Sequence, residues 1–391
     1  METQPELNFN PVHGNVLESL PTYLIFELSA HNHVVANMVK LSGEDCTVFT
    51  VENNIDSLVQ TLKEYDLNPS VRDWTIGAEM LKLKEIRKYC RIIVTTWHES
   101  TLTKRKWVLG FNILRSNLQI LCIRNSVKWH VSSYLDIHRL LSRKLMLKEH
   151  FFAVNSFLLS RFMIMRAKRI VVESRMQLDF MKHLAFVRSI KMETFPGRLS
   201  NFKPVRKIGH LCERSDNNDL VLGFLGTCNE DRRDINLVSD VISSLSKTRN
   251  IRVIWLGGVH KETAKDLLIR NFPEITFTFP SNKVWSEHDF FDFSSSCNFL
   301  VSPLNYDWGY DSGMSTGSLA DAIALEKKIF YPNFVNFGQE FDDFVVYYRD
   351  CRNLCNQITA LENSPESQDV PSATSLANFS IENVRKMLFM D

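Results

Sequence analysis

The sequence predicts an α/β protein with two doubly wound domains, each a mainly parallel sheet covered by helices on both faces. Short apolar runs alternate with amphipathic helical patterns through both halves of the 391 residues, and this alternation is typical of parallel sheets. A polar, charged stretch at 197–218 interrupts the alternation, which then restarts. Domains are therefore expected at 1–200 and 219–375, with a linker at 201–218 and a C-terminal helix in 376–391.

The first half opens with a strand, a helix and a second strand within about thirty residues, which is the length of a βαβ unit. Its strands are expected at Thr22–Leu28, Cys46–Val51, Arg91–Thr96, Leu118–Ile123, Arg169–Val172 and Ser189–Phe195. Its helices are expected from apolar spacing at Val34–Leu41, Ile55–Tyr65, Ala78–Lys88, Tyr134–Met165 and Met176–Leu184, the last capped by Ser174.

The second half repeats this alternation. Its strands are expected at Leu220–Leu225, Ile251–Leu256, Ile275–Phe279, Asn298–Val301 and Lys328–Tyr331. Its helices are expected at Asn236–Leu245, Lys261–Asn271, Glu287–Ser295, Leu319–Leu325 and Ile381–Met390, with a Ser/Pro-rich surface loop at 362–379. Doubly wound sheets bind ligands outside the carboxyl ends of their strands, so the site is expected in a cleft between the two domains.

Charge is distributed unevenly along the chain. The formal net charge is +1, yet residues 101–170 hold fourteen lysines and arginines against two acids, Asp136 and Glu149. Large apolar side chains are interleaved with these charges, which favours a patch drawn to an anionic membrane surface. The alternative is an ordinary core beneath a solvated face. Nucleic acid is not expected, because the aromatic residues form no RNA-binding signature.

Cysteine usage and the apolar runs favour a cytoplasmic protein. The eight cysteines are scattered without a C-x-x-C pair, and several lie in strand-like runs as reduced core residues would. The first fifteen residues lack a signal-peptide pattern. Phe151–Met165 is too short and too polar to span a bilayer. We expect peripheral association with the inner face of the membrane at most.

The stretch Asn305–Pro332 has the composition of an anion-binding loop followed by a helix. Glycines and small hydroxyl residues precede the predicted helix Leu319–Leu325; these are Gly313, Ser315, Thr316, Gly317 and Ser318. The first N–H groups of a helix lack partners within it, and the helix dipole favours negative charge there. The alternative is an ordinary loop whose Ser and Thr cap the helix.

A second segment, GFLGTCNEDRRDINLV at Gly223–Val238, resembles the donor-binding segment of glycosyltransferases of the GT-B fold. The similarity is greatest to the retaining, family-4-like group. In that family a strand, a glycine loop and basic residues hold the donor diphosphate. The resemblance gives this role to Gly226, Thr227, Arg232 and Arg233, and guanidinium groups suit it because their fork pairs with phosphate oxygens. A surface loop with solvated arginines is the alternative.

The stretch Asn305–Pro332 resembles the same family with one departure. The family carries a Glu eight positions before a second Glu that holds the nucleotide ribose; here these positions are Gly313 and Asp321. Some relatives have a Ser/Thr/Gly-rich loop there instead, similar to 315–318. For Asp321 the alternative is an ordinary carboxylate on a helix face. The segment RAKRIVVESRMQLDFMK is also similar to the family, and the resemblance implies a C-terminal helix that crosses back to the first domain.

Histidines follow two strands of the first half. His98 comes after Arg91–Thr96, and in GT-B enzymes a residue at this place often contacts the donor sugar or acts in catalysis. His31 and His33 follow the first strand and could face the acceptor. A lone histidine is more often structural. An inverting enzyme would need a general base in the cleft, for which His98 or Glu99 could serve.

The resemblance implies a nucleotide-sugar-dependent hexosyltransferase of the retaining kind. It would move a sugar to a saccharide or lipid-linked saccharide in the synthesis of cell-surface polysaccharide or glycolipid. No cofactor and no metal are expected, since no D-x-D-type site is evident. Two other interpretations stay open: a non-hydrolysing nucleotide-sugar epimerase of the same fold, and a non-catalytic protein that binds sugar nucleotides or anions.

Overall fold

A computed structural model of the chain contains two parallel β-sheets. It describes residues 20–29, 31–43, 45–97, 107–123, 159, 161–182, 189–205, 219–259, 262–281, 284–306, 317–363 and 370–390. The predicted α/β class with two doubly wound domains is confirmed.

The first sheet has seven parallel strands in the order β3-β2-β1-β4-β5-β6-β7. The strands are β1 (Tyr23–Glu27), β2 (Cys46–Thr50), β3 (Ser70–Asp73), β4 (Arg91–Trp97), β5 (Asn117–Ile123), β6 (Arg169–Val172) and β7 (Lys191–Thr194). Its helices are α1 (Asn32–Ser42), α2 (Ile55–Glu64), α3 (Trp74–Met80), α4 (Lys84–Tyr89), α5 (Trp107–Leu114) and α6 (Arg175–Lys182). Strand order reverses between β1 and β4, so the crevice at their carboxyl ends is the topological switch point.

The second sheet has six parallel strands in the order β10-β9-β8-β11-β12-β13. They are β8 (Leu220–Leu225), β9 (Ile251–Leu256), β10 (Thr276–Thr278), β11 (Phe299–Val301), β12 (Ile329–Pro332) and β13 (Val345–Tyr348). The helices that follow β7 are α7 (Ile235–Leu245), α8 (Glu262–Asn271), α9 (Glu287–Ser296), α10 (Gly317–Leu325), α11 (Cys351–Glu362), α12 (Ala373–Asn378) and α13 (Ile381–Phe389). Here the order reverses between β8 and β11.

Each sheet is buried on both faces, as its nearly continuous apolar strands require. Along β1, Leu24 and Phe26 pack into one core, while Tyr23 and Ile25 pack into the core on the opposite face. Along β8, Leu222 and Phe224 likewise lie in a different core from Val221 and Leu225. The alternation follows from the two-residue period of a strand, and it places helices on both sides of each sheet.

The last helix, α13, packs against the first domain. Val384 and Leu388 are buried in the core that α1 forms with the first sheet. Arg385 donates to the last-turn carbonyls of α1, from Nε to Leu41 O at 2.9 Å and from Nη2 to Lys40 O at 2.8 Å. Arg169 donates from β6 to the carbonyls of Leu388 and Met390. The predicted return of the C-terminal helix to the first domain is confirmed.

Several local predictions were wrong. The single helix expected at Ala78–Lys88 is two short helices, α3 and α4, because Leu81–Leu83 form a turn closed by 3.0 Å backbone bonds. Strand β3 was missed since its sequence, SVRD, carries only one apolar residue. The loop expected at 362–379 contains α12, whose first turn is capped by Ser372 through a bond from Ser375 N. Of the helix expected at Tyr134–Met165, only its last part lies in the described residues, where 161–166 is helical.

Within the described ranges, no helix is both long enough and apolar enough to cross a bilayer. The seven cysteines that these ranges include form no disulfide, and six of them are buried. They therefore act as small apolar residues of the cores.

We expect Leu388→Ala to lower the free energy of unfolding by about 2–5 kcal/mol, because it removes a buried side chain from the core beneath α13. Urea unfolding followed by tryptophan fluorescence measures the change. Met390→Ala is the matched control, since this side chain is 54% exposed and its loss should stay within about 0.5 kcal/mol. Equal stabilities for the two variants would contradict the docking of α13 described here.

Candidate functional site

A cavity of about 510 Å³ lies between the carboxyl ends of the two sheets. The first domain contributes residues that follow β1, β6 and β7, namely His31, His33, Glu173 and Arg198. The second domain contributes residues that follow β8 and β9 and residues at the starts of α9 and α10, among them Gly226, Thr227, Arg232, Arg233, Gly257, Gly258, Trp285, Glu287, Gly317, Ser318 and Asp321. The cavity therefore spans both topological switch points, where doubly wound proteins bind ligands.

Two glycine loops in contact form one wall. Gly226 has φ +97°, and a Cβ there would meet the Arg233 guanidinium. A Cβ on Gly257 would lie 2.1 Å from the carbonyl oxygen of Gly226, so the loops after β8 and β9 approach more closely than any side chain permits. Trp255 Nε1 donates to that same carbonyl at 2.7 Å and holds the loop in place. The wall exposes main chain to the cavity, as close approach of a ligand requires.

The two predicted arginines occupy different environments. Arg233 is buried, and its Nε donates to Leu225 O at 3.1 Å while its Nη1 donates to Arg232 O at 3.2 Å. It therefore braces the loop after β8 and also lines the cavity. Arg232 is half-buried and lines the same cavity. A guanidinium fixed by its own loop is pre-organised for an anion, whereas a more exposed one can move to meet it.

Helix α10 points its N-terminus at the cavity. Gly317 and Ser318 open the helix and line the cavity, and the Ser318 side chain is buried beside Ser302, with 3.4 Å between their Oγ atoms. Ser318 thus shares a cavity with Arg232 and Arg233. The other members of the predicted loop, Gly313, Ser315 and Thr316, lie outside the described residues, as do His98 and Glu99.

Asp321 faces the cavity one turn into α10, and its carboxylate is ion-paired. Arg198 Nε lies 2.9 Å from Asp321 Oδ1, although its N–H does not point at that oxygen. The side chain of Asp321 is 18% exposed. One carboxylate oxygen is thus engaged by Arg198, while the residue still borders the space where a ligand would lie.

Arg198 is the charged centre of the cavity. It forms a paired contact with Glu287, from Nη1 to Oε2 at 2.6 Å and from Nη2 to Oε1 at 3.1 Å. Nη1 also lies 3.0 Å from the Tyr65 hydroxyl, which donates to Glu287 Oε2 at 2.8 Å. The guanidinium carbon lies 5.6 Å from the ring centroids of both Phe290 and Phe291. One side chain of the first domain thus joins two helices of the second.

The neighbouring charges shift the pKa values of Arg198 and Tyr65. Burial alone would lower the pKa of Arg198, but the negative charge of Glu287, with that of Asp321, raises it well above its usual range. Burial and the adjacent charge of Glu287 also raise the pKa of the Tyr65 hydroxyl well above its usual range. Arg198 is therefore held as a cation and Tyr65 as a neutral donor at any physiological pH.

Sequence reasoning missed Arg198, Glu287, Glu173 and Trp285. Arg198 follows the Pro196-Gly197 pair at the end of the first domain, and a charged residue directly after a strand end was the available signal. Glu287 was included in a predicted helix without a role. No local pattern marks its pairing with Arg198, because the two residues are 89 positions apart.

The described residues contain no group of three or more His, Cys, Asp and Glu side chains that could hold a metal ion. The polar groups of the cavity include three arginines, three carboxylates, two histidines, a helix N-terminus and two glycine loops. Such a set can bind an anionic ligand with hydroxyl groups: cations and N–H groups suit phosphates, and carboxylates suit sugar hydroxyls.

No protein-family model and no curated protein sequence matches the chain. Among solved structures, a glycosyltransferase from Rickettsia africae ESF-5 matches with a TM-score of 0.55 at 11% identity, over 93% of this chain and 95% of that one. HepE from Anabaena, in complex with UDP and glucose, matches with a TM-score of 0.55 at 11% identity, over 93% of this chain and 97% of HepE. A putative UDP-N-acetylglucosamine 2-epimerase from Listeria monocytogenes matches with a TM-score of 0.58 at 11% identity, over 91% of this chain and 93% of that structure. The chain therefore has the GT-B fold, as expected.

Gly257→Ala should destabilise the protein by about 2 kcal/mol or more, because its methyl group would overlap the main chain of Gly226 and force the two loops apart. Gly317→Ala is the matched control: a Cβ there meets nothing within 4 Å, and a helix position favours Ala over Gly. Thermal unfolding of both variants measures the difference. A Gly257→Ala variant as stable as Gly317→Ala would refute the close contact between the loops.

Proposed function

We propose that the chain is a glycosyltransferase that takes a hexose from a nucleotide-sugar donor. The observation that carries the proposal is the convergence of the glycine loops, Arg232, Arg233 and the α10 N-terminus on one cavity. A diphosphate matches this set, since it needs cations, N–H donors and close access to main chain at once. The fold of HepE, which binds UDP and glucose, supports a UDP-sugar as the donor.

The donor would lie against the second domain, with the acceptor bound to the first. Transfer breaks the bond between the anomeric carbon and the diphosphate, so negative charge grows on the departing phosphate oxygen. In this proposal Arg232, Arg233 and the first N–H groups of α10 stabilise that charge, and electrostatic stabilisation of this kind lowers the barrier to transfer. A metal ion is not required for this step in the proposal.

Asp321 is proposed to hold the ribose. A carboxylate can accept hydrogen bonds from two neighbouring hydroxyl groups. Arg198 supports the assignment, because its contact at 2.9 Å limits the rotation of the Asp321 side chain. Gly313, Ser315 and Thr316 are proposed to complete the phosphate site, and His98 to face the transferred sugar, all from the resemblance of the sequence.

The proposed acceptor is a saccharide or lipid-linked saccharide of a cell-surface polysaccharide or glycolipid, met by a cytoplasmic protein at the inner face of the membrane. In the part of 101–170 that the structure describes, Phe111, Phe162 and Met165 are each about half exposed. Gly110 packs against Leu159, which brings α5 beside the helical segment 161–166. Arg166 and Lys168 are exposed close to these apolar side chains, a combination that suits an anionic lipid surface.

Retention of anomeric configuration is what the resemblance to family-4-like enzymes implies. An epimerase of the same fold is the second candidate, because the Listeria structure shares the architecture to a similar extent. Incubation with UDP-glucose and UDP-N-acetylglucosamine separates these activities: a transferase slowly releases free sugar and UDP, an epimerase returns an epimerised sugar nucleotide, and a binding protein returns the donor unchanged.

We expect UDP to bind the protein and raise its melting temperature, because a ligand stabilises the folded state by mass action. Arg232→Gln should weaken UDP binding by about 10- to 100-fold, since it removes a charge-assisted hydrogen bond. Isothermal titration calorimetry measures both affinities. Arg270→Gln is the matched control, because Arg270 is exposed in the last turn of α8, far along the helix from the cavity loops. Absence of UDP and UDP-sugar binding to the wild type would remove the proposed function.

Vesicles test the membrane surface. We expect co-sedimentation with phosphatidylserine-containing vesicles at low ionic strength and none with pure phosphatidylcholine. Arg166→Gln with Lys168→Gln should weaken vesicle binding by roughly 30-fold, at about 1 kcal/mol for each basic residue. Lys247→Gln with Arg270→Gln removes two exposed cations of the second domain and should leave binding unchanged. An equal loss of vesicle binding in the two double variants would show that binding depends only on net charge, which would contradict a specific membrane surface.

A further inference from the structure

A buried carboxylate lies at the switch point of the first sheet. Glu27 is the last residue of β1 and is fully buried. Its carboxylate oxygens accept three hydrogen bonds and lie close to a histidine ring nitrogen. Thr95 Oγ1 and Thr96 Oγ1 donate to Oε2 at 2.6 Å and 2.8 Å, and Ser29 N donates to Oε1 at 2.6 Å. His31 Nδ1 lies 3.9 Å from Oε1. A buried charge needs this degree of compensation.

Glu27 is ionised in this environment. Burial alone would raise its pKa, but the contact with His31 and the hydroxyls of Thr95 and Thr96 outweigh burial and lower the pKa below its ordinary value. An ionised carboxylate only accepts hydrogen bonds. The hydroxyl proton of Thr96 must therefore point to Glu27.

The direction of that proton decides the tautomer of His31. Thr96 Oγ1 lies 3.2 Å from His31 Nδ1. Since the single proton of Thr96 is donated to Glu27, the hydroxyl can only accept from Nδ1, which must carry a proton. In a neutral imidazole the other nitrogen, Nε2, then holds the lone pair. The relay runs from Nδ1–H to the hydroxyl oxygen, and from the hydroxyl proton to the carboxylate.

The His31 side chain contacts this relay and does not cap its own helix. It occupies the N-cap position of α1, yet its side chain forms no capping bond. Its side chain is 30% exposed and lines the same cavity as Arg198, Gly226 and Asp321. In the part of the chain that the structure describes, the polar contacts of the His31 side chain are made through Nδ1, to Thr96 and Glu27. The basic nitrogen is therefore available to a molecule in the cavity.

We propose that His31 Nε2 is the general base of the transfer, and that Thr96 and Glu27 are the residues that position it. The inference rests on the proposed function. The acceptor hydroxyl gives its proton to Nε2 while its oxygen forms a bond to the anomeric carbon. The bond from that carbon to the diphosphate oxygen breaks, and the electron pair leaves with the nucleotide diphosphate. Direct displacement inverts the anomeric configuration, a stereochemical course opposite to the one that the resemblance implies.

The test uses water as the acceptor and the full-length chain with UDP-glucose, whose glucose is α-linked. Proton NMR, recorded before the free sugar mutarotates, reports the anomer released. We expect β-glucose from the wild type. Release of α-glucose, or binding of UDP-glucose without any hydrolysis, would overturn the assignment of the base and leave donor binding intact. Failure of UDP-glucose and UDP-N-acetylglucosamine to bind would instead overturn the proposed function.

Variants separate the base from a structural histidine. His31→Gln should lower the hydrolysis kcat by about 10²- to 10⁴-fold, the usual contribution of general acid–base catalysis, with the Kd for UDP unchanged. Thr96→Val should lower kcat by about tenfold at constant KM, because it leaves Nδ1–H without its acceptor, and Thr96→Ser should restore it. His288→Gln is the control for loss of an imidazole.

A His31→Gln variant with wild-type kcat would contradict the proposal. So would a Thr96→Ser variant as slow as Thr96→Val, since the serine hydroxyl can complete the same relay. Thermal unfolding of each variant reports whether it is folded, and the Thr96 pair keeps the test valid should His31→Gln unfold.

Discussion

The arrangement of the two domains depends on one buried guanidinium. Arg198 ends the first domain and meets Glu287 and Asp321 of the second, with Tyr65 closing the group from α2. Removing one partner of such a group leaves an uncompensated charge away from water, which destabilises proteins by about 3–5 kcal/mol. The domains can separate only by hydrating all these groups together. A cleft of defined width is the consequence.

The same contacts connect domain closure to the ligand site. Asp321, which is proposed to hold the ribose, lies in the second domain and forms an ion pair with Arg198 of the first. Glu287 borders the cavity and also receives the Tyr65 hydroxyl from the first domain. Any change in the angle between the domains therefore displaces carboxylates that line the cavity. Binding and closure share their polar groups, as is common where a substrate lies between two domains.

The sequence predicted most of the fold, because most strands and helices carry a signal within their own residues. Strands such as Leu220–Leu225 are continuous apolar runs, and helices such as Ile381–Phe389 have a serine cap and an apolar face. Two of the missed elements lack those signals. Strand β3 alternates exposed and half-buried residues at the sheet edge, and α5 is apolar in nearly every turn, so it shows little helical periodicity.

The residues of the site likewise fall into those that the sequence predicted and those that it did not. Gly226, Thr227, Arg232 and Arg233 come from one short segment, and their common cavity could be anticipated from it. Arg198 and Glu287 are 89 positions apart, and Glu27 and Thr96 are 69 apart. Apart from the strand end that precedes Arg198, no local pattern in the chain marks these residues. Their chemistry arises only when the carboxyl ends of non-consecutive strands meet, which the order of strands decides.

The GT-B fold does not itself distinguish a transferase from an epimerase, because both occur among structures of equal likeness to this chain. The proposed donor site lies mainly in the second domain, so the distinction between the two proposed activities depends on the polar groups that the first domain contributes to the cavity. In this chain the sheet's switch point holds an ionised Glu27, a hydroxyl relay and His31 with a defined tautomer. The base proposed here lies on the first domain's side of the cavity, where it suits an incoming hydroxyl group, and this placement favours the proposed transfer.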